Sequence, residues 1–318
     1  MARKSNASTL IELEDRPERQ QRILRSVAEW AGYYRCNPHR FVKDFLHIDL
    51  HFFQKILIVM MNICTTFVFI ACRGIGKTYL SAIFCCIRAV LYPGSKICIA
   101  SGTRGQSLVV LEKIMTELKP NSPELAAEID DRGTKIGGNN AIIMFKNGSF
   151  IKVVTASDNS RGNRAHILII DEFRMVKKDV ITTILKKFLS TPRHPKFMDK
   201  PQYRGKKEYK ELLKTLYLSS AYYKDHWSYT KTKDTCKFML DDRDNRRKDF
   251  VCGFPYQLAL QEGLLSEERV VEDITESDFS EIKWSINISV DLKPIERMQK
   301  RCNVSLLVIA VNGYLWHC

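Results

Sequence analysis

Apolar residues first recur at helical spacing. Leu10, Leu13, Ile23, Leu24, Val27 and Trp30 predict a helical stretch over 10–30, with Pro17 marking a break or a helix start. A shorter helix is predicted over 38–46. From residue 56 to 170 the pattern alternates between continuous apolar runs and helical periodicity. Strands are predicted at 67–71, 96–100 and 167–170, and helices at 56–63, 78–91 (stopped by Pro93-Gly94) and 106–118. Residues 141–145 and 150–155 flank Asn147-Gly148, a hairpin signal. A helix over 178–189, a strand over 215–219 and a charged stretch over 231–248 follow. Apolar strands alternating with helices imply an α/β fold, with a mainly parallel sheet covered by helices on both faces. Residues 266–283, rich in Glu, Asp and Ser, read as a linker. Beyond it, strands are expected at 286–290 and 304–311, and Asn312-Gly313 turns into 314–317. Two or three strands cannot form a stable domain alone, so this end reads as the opening of a domain that is cut off.

Composition narrows the class. The chain has 318 residues, 45% hydrophobic and 27% charged, which excludes wholesale disorder and collagen-like or coiled-coil architectures. A net charge of +14 points to an anionic partner, nucleic acid first, against the plainer reading of a solvated basic surface. The ten cysteines include no CxxC pair; Cys72, Cys85, Cys86 and Cys98 sit in apolar runs and read as reduced core thiols. The first 22 residues hold no apolar run of signal length, so a reducing cytoplasm is expected. The uncharged run 56–72 is interrupted by Asn62, Thr65 and Thr66 and divides into a helix end and a strand, so no membrane role is expected. His47 and His51 lie near Asp49 without a neighbouring cysteine or glutamate in sequence, and are not read as a metal site.

The chemistry concentrates in two motifs. Ala71-Cys72-Arg73-Gly74-Ile75-Gly76-Lys77-Thr78 follows a predicted strand and opens a predicted helix, the context of a phosphate-binding loop. Gly74 and Gly76 let backbone amides curl around phosphates, and the helix N-terminus adds its dipole. Lys77 is expected to reach the phosphates of ATP, and Thr78 to hold Mg²⁺ through its hydroxyl. Alanine at position 71 departs from the usual glycine. The second motif, Ile167-Leu168-Ile169-Ile170-Asp171-Glu172, delivers two carboxylates to the end of a buried strand. Asp171 is expected to bind Mg²⁺ and Glu172 to orient and polarise the attacking water, the arrangement of an ATP hydrolase. A phosphoryl transition state also calls for an arginine; Arg73, four residues before Lys77, and Arg161, ten before Asp171, are the two candidates.

In this order, these residues resemble the large terminase subunit of tailed bacteriophages, the motor that packages DNA, over about residues 1–290. The resemblance implies a P-loop NTPase of the RecA-like, ASCE class, followed by the first strands of an RNase H-like nuclease domain. It implies a helical lid segment over 1–50, an ATPase core over 51–225, a lid and linker over 226–283 and an incomplete nuclease start over 284–318. Arg73 matches the family's loop arginine, and Arg161-Gly162 matches a pair whose arginine reaches a neighbouring subunit's ATP. Gln54 corresponds to a glutamine that contacts adenine. Leu218-Ser219-Ser220-Ala221 resembles a coupling motif that senses the γ-phosphate. Asp291, in Ile288-Ser289-Val290-Asp291, matches a metal-binding aspartate of the nuclease. The partners so implied are double-stranded DNA, other copies of the chain in a homo-oligomeric ring, a portal protein and a small terminase subunit, at the procapsid portal in the host bacterial cytoplasm.

Residues 186–214 supply the expected DNA contact. Lys186, Lys187, Arg193, Lys196, Lys200, Arg204, Lys206, Lys207, Lys210 and Lys214 face only three acids, leaving +7, half of the chain's excess. Pro192, Pro195, Pro201 and Gly205 make much of this stretch a loop, suited to sequence-independent phosphate contact. The charges around Arg243, Arg246, Arg247 and Lys248 are balanced by Asp241, Asp242, Asp244 and Asp249 and read as a mixed surface. A superfamily 2 helicase is the alternative, since Ala71, Gln54, Asp171-Glu172 and Ser219-Ser220-Ala221 have counterparts there; the residues after Ala221 are too few for its second RecA-like domain. A nucleotide-gated binding protein without turnover is a third reading, opposed by Lys77, Thr78, Asp171 and Glu172. One carboxylate, Asp291, cannot hold the two metals that nuclease chemistry uses. The 318-residue chain is therefore expected to show no metal-dependent cleavage of DNA; cleavage lost in Asp291→Ala would overturn this.

Overall fold

The computed structural model describes residues 18–137, 140–156, 160, 162–206, 209–222, 224–240 and 248–276. The expectations for 286–317 lie outside them. Three helices come first: α1 (Glu18–Cys36), α2 (Pro38–Leu46) and α3 (Phe52–Ile63). Strand β1 (Thr66–Ala71), helix α4 (Lys77–Leu91) and strand β2 (Lys96–Ser101) follow. Helix α5 (Arg104–Lys113) passes through a π-helical turn (Ile114–Leu118) into the single turn α6 (Lys119–Asn121), then α7 (Pro123–Glu128). Next come β3 (Ile129–Lys135), β4 (Ile142–Phe145), β5 (Phe150–Thr155) and β6 (Ile167–Asp171). The remainder holds α8 (Lys178–Thr183), β7 (Lys214–Ser219), α9 (Trp227–Met239), β8 (Asp249–Phe254), α10 (Tyr256–Gln261) and α11 (Glu267–Glu276). No helix among the described residues is long and apolar enough to cross a membrane.

These strands form one eight-stranded sheet in the order β3-β4-β5-β2-β6-β7-β1-β8. The six from β5 to β8 are mutually parallel, while β3 and β4 pair antiparallel at one edge. Successive side chains alternate between two cores. Phe67, Phe69, Ile97, Ile99, Ile167, Ile169, Leu216 and Leu218 point to the larger, where α4 is buried along most of its length. Val68, Ile70, Cys98, Ala100, Leu168, Ile170 and Tyr217 point to the smaller, closed by Phe173, Phe188 and Trp227. Burial on both faces is why the sequence of these strands is continuously apolar.

Several elements differ from expectation. The predicted helix over 178–189 ends at Thr183 and gives way to a 3₁₀ turn (Leu185–Phe188). The hydroxyls of Thr182 and Thr183 accept no cap role but donate back to the carbonyls of Lys178 and Asp179, a bonding pattern that bends or weakens helices. The stretch read as a linker contains α11, started by Ser266 Oγ, which accepts from the Arg269 amide at 3.3 Å, and by Glu267 and Glu268 in the first turn. Strands β3 and β8 were not anticipated. Strand β8 pairs in parallel with β1 along six residues, so the sheet takes its last strand from beyond residue 225.

The basic stretch lies at the amino ends of the parallel strands, leading directly into β7. Phe197, Tyr203 and Tyr209 meet edge to face with centroids 5.2–6.0 Å apart, giving the stretch an aromatic core of its own. Two of its cations are withdrawn from the surface. Arg193 forms a two-pronged pair with Glu211 and donates to the Pro93 carbonyl at 3.1 Å. With Arg35 and Arg88, it surrounds the Tyr92 ring at 5.6, 4.8 and 3.5 Å. Burial alone would raise the Glu211 carboxyl, but Arg193, Arg88 and Arg35 hold it below the usual range. Lys186, Lys187, Lys196, Arg204, Lys206 and Lys210 remain exposed, while Lys207 lies outside the described residues.

Lys214 is the other withdrawn cation. It is 7% exposed, and its Nζ donates to the carbonyls of Asn62 and Cys64 at 2.7 and 2.5 Å. Burial, reinforced by Arg88, pushes its pKa down to about 7. The folded chain thus holds this proton less tightly than the unfolded chain, and unfolding takes one up between about pH 7 and the ordinary lysine range. Lys214 therefore makes stability rise with pH across that window. The buried cysteine thiols act in the opposite direction but are common to a variant lacking the amine. In urea unfolding, the stability of the parent minus that of Lys214→Met is expected to increase by about 1 kcal/mol from pH 7 to pH 8; a constant difference would refute the assignment.

Candidate nucleotide-binding site

Three parallel strands bring the site together. β7 is hydrogen-bonded between β1 and β6, with Ile70 opposite Ser219 and Asp171 opposite Leu218. The loop after β1, the two carboxylates at the end of β6 and the serines at the end of β7 therefore open on one side of the sheet, at its carboxyl edge. Crevices of this kind are where open α/β sheets bind ligands.

The phosphate loop has the backbone its glycines permit. Gly74 (φ +83°) and Gly76 (φ +92°) both lie in the left-handed region, and Gly76 precedes the first turn of α4. A Cβ on Gly74 would stand 3.3 Å from Leu265 Cδ1, so the segment after α10 lies against the loop. Lys77 is buried, and its Nζ donates to the carbonyls of Ala71 and Cys72 at 2.8 and 2.7 Å. Desolvation lowers its pKa, while Glu172 and Asp171 act to raise it. Thr78 follows in the first turn of α4, and Arg73 stands exposed on the loop.

Gln54 is buried beside the loop. Its Oε1 accepts from the His51 amide at 3.1 Å, capping α3, and its Nε2 lies 3.5 Å from where a Gly76 Cβ would be. His51 Nδ1 is 2.6 Å from Glu262 Oε2, and His47 Nε2 is 2.9 Å from Glu124 Oε2. The two histidines thus have glutamate partners distant in sequence. No group of three or more metal-ligating side chains occurs among the described residues.

The carboxylates differ in setting. Asp171 is 5% exposed, and its Oδ1 accepts from the Glu172 amide at 3.1 Å. Burial, then the neighbouring Glu172, pushes its pKa up to about 6. Glu172 adopts a left-handed backbone (φ +46°, ψ +50°), which costs about 1–2 kcal/mol for a residue with a side chain. Its Oε2 accepts from Ser219 Oγ at 3.2 Å and its Oε1 from Ser220 Oγ at 3.4 Å. Arg174 Nε also donates to Oε2, at 3.2 Å. The structure thus brings Gln54, Gly74, Gly76, Lys77, Thr78, Asp171, Glu172, Ser219 and Ser220 to one edge. Arg161 and Asp291 lie outside the described residues. Arg174 carried no signal in the sequence beyond its distance of two residues from Glu172.

The family described as "Terminase large subunit, T4likevirus-type, N-terminal" matches residues 68–249, more than half of the chain. The chain belongs to this family of large terminase subunits. That membership supports a DNA-packaging motor ATPase and does not favour a helicase. Among solved structures, the ATPase domain of the large terminase of Thermus phage P74-26 is similar at 15% identity and a TM-score of 0.52, covering 76% of this chain and 94% of that one. The large terminase of bacteriophage HK97 is similar at 14% identity and a TM-score of 0.52, covering 76% of this chain and 50% of that protein. At such identities the likeness establishes the fold, a P-loop ATPase sheet. No curated protein matches the terminase sequence.

The raised Asp171 pKa gives a test. The folded chain holds this proton more tightly than the unfolded chain, so stability falls as pH rises from about 4 to about 6, and the whole cost is present above that. Without nucleotide, Asp171→Asn is expected to be more stable than the parent at pH 7 by about 2 kcal/mol, with no such gain at pH 4, in urea unfolding. Equal stability at both pH values would refute the buried-carboxylate assignment.

Proposed function

We propose that the chain couples hydrolysis of ATP to movement of double-stranded DNA, and that Glu172 activates the water. The observation carrying this reading is the meeting of the Glu172 carboxylate with Ser219 and Ser220 at the end of the strand between β1 and β6. Glu172 accepts the proton of a water whose oxygen forms a bond to the γ-phosphorus. The bond to the β–γ bridging oxygen breaks, leaving ADP and phosphate. Lys77 leaves the loop carbonyls of Ala71 and Cys72 to meet the phosphates. The loop amides around Gly74 and Gly76 cradle them, and Gln54 stands beside the loop where an adenine can be read.

The donor set suits Mg²⁺: a buried carboxylate, Asp171, whose charge burial disfavours until a cation joins it, and the Thr78 hydroxyl, both hard oxygen ligands. Bound there, Mg²⁺ neutralises charge on the phosphate oxygens. Arg73, on the loop, and Arg161, from a neighbouring copy, are the two candidates for the arginine role. The exposed lysines and arginines around the Phe197–Tyr203–Tyr209 core contact DNA phosphates without reading sequence. In this reading a ring of copies works on the portal of a procapsid in the host bacterial cytoplasm, with a small terminase subunit delivering DNA. Residues 1–50 act as a lid on a core that begins at 51 and, unlike the expected core of 51–225, also includes β8; the lid and linker role expected for 226–283 falls to the residues outside that strand.

Steady-state ATPase measurements test the chemistry. Turnover is expected to rise with double-stranded DNA and to fall at least about 100-fold in Lys77→Ala and Glu172→Ala; strand displacement by the same preparation would favour the helicase reading. Replacing Lys200, Arg204, Lys206 and Lys207 with alanine is expected to weaken DNA binding uniformly across sequences. It should also reduce the slope of log affinity against log salt by up to about 3–4. Unchanged binding would remove the basic stretch from the DNA path.

A further inference from the structure

Resting on that reading, we infer that Arg174 is the positioning residue for the water-activating carboxylate, tying Glu172 to the segment that leaves β7. Arg174 lies in the 3₁₀ turn (Phe173–Met175) directly after Glu172. Its Nε donates to Glu172 Oε2 at 3.2 Å and its Nη1 to the Ala221 carbonyl at 3.3 Å. The guanidinium lies over the Tyr222 ring, 5.1 Å from its centroid. Both partners in the ion pair are largely buried, at 18% and 21% side-chain exposure. A planar fork can hold a carboxylate and a carbonyl together, which an ammonium cannot do with the same geometry.

The three donors to Glu172 are not equivalent. Ser219, fully buried, and the half-buried Ser220 present neutral hydroxyls that can rotate. Arg174 presents a charged, directional N–H on a side chain already fixed at its far end. Oε2 is therefore anchored by Arg174, and Oε1, held among the described residues by Ser220 at 3.4 Å, is the oxygen free to exchange its partner for the attacking water. Arg174 also lowers the pKa of Lys77 electrostatically, so its charge is felt at the phosphate loop. It nevertheless acts through Glu172: its hydrogen bonds go to that carboxylate and to Ala221. The left-handed turn at Glu172 makes the arrangement possible, since it folds residue 174 back beside residue 172. Without Arg174 the carboxylate loses its fixed orientation, while the hydrogen bonds of Lys77 and the backbone of the phosphate loop remain.

DNA-stimulated ATPase kinetics of Arg174→Ala and Arg174→Lys, alone and in the Glu172→Gln background, provide the test. Melting curves and ATPγS affinity accompany each variant. Arg174→Ala is expected to lower kcat about tenfold or more, with KM for ATP and ATPγS affinity within twofold of the parent. Arg174→Lys should recover part of that loss. In Glu172→Gln, adding Arg174→Ala should change the residual rate by less than twofold. An unchanged kcat overturns the inference. So does a parallel loss of ATPγS affinity, or a tenfold loss that persists in Glu172→Gln. A parent that binds ATPγS but never turns over ATP overturns the hydrolase reading itself, and with it the role of Arg174.

Discussion

Pairing of β7 with β1 on one side and β6 on the other fixes where three chemical functions meet. Strands in a parallel sheet end on the same side, and their backbone hydrogen bonds leave little freedom in register. With Ile70 opposite Ser219 and Asp171 opposite Leu218, the phosphate loop, the acidic pair and the serines cannot drift apart without breaking the middle of the sheet. That middle is dry on both faces, so its register is held by two cores at once. The strain at Glu172 and the buried charge of Asp171 are tolerated because this frame is stiff.

Much of this was legible in the sequence because the chemistry follows strands of the most readable kind. The run ending in Asp171-Glu172 and the run before the glycine loop are unbroken apolar segments with no competing helical period. Strand β3, Ile-Asp-Asp-Arg-Gly-Thr-Lys, was hidden because it is an exposed antiparallel edge with almost nothing to bury. Strand β8 was hidden by the charged stretch before it and by Gly253 within it. The helix α11 carried an ordinary start signal, Ser266 followed by two glutamates, but a composition rich in acids masked it. Arg174 could not be found from spacing, since its role depends on a left-handed turn and on a partner 47 residues away.

The basic stretch was counted correctly and located only by the structure. Charge alone could not separate Arg193 and Lys214, which serve the fold, from the lysines and arginines left at the surface. Arg193 joins α1, α4 and the basic stretch through Tyr92 and Glu211. Lys214 ties the end of α3 to the start of β7. The positive surface is thus mounted on a framework that is itself cationic, and a single carboxylate, Glu211, balances much of it.

β7 begins where the basic stretch ends and finishes beneath Glu172. Its six residues span about 20 Å, laterally clamped along their whole length by two neighbours. A strand held in this way can neither buckle nor slide between its neighbours without breaking their hydrogen bonds, so Ser219 and Lys214 keep a fixed separation. The serines beside Glu172 and the root of the basic surface are therefore the two ends of one stiff element, at opposite poles of the sheet.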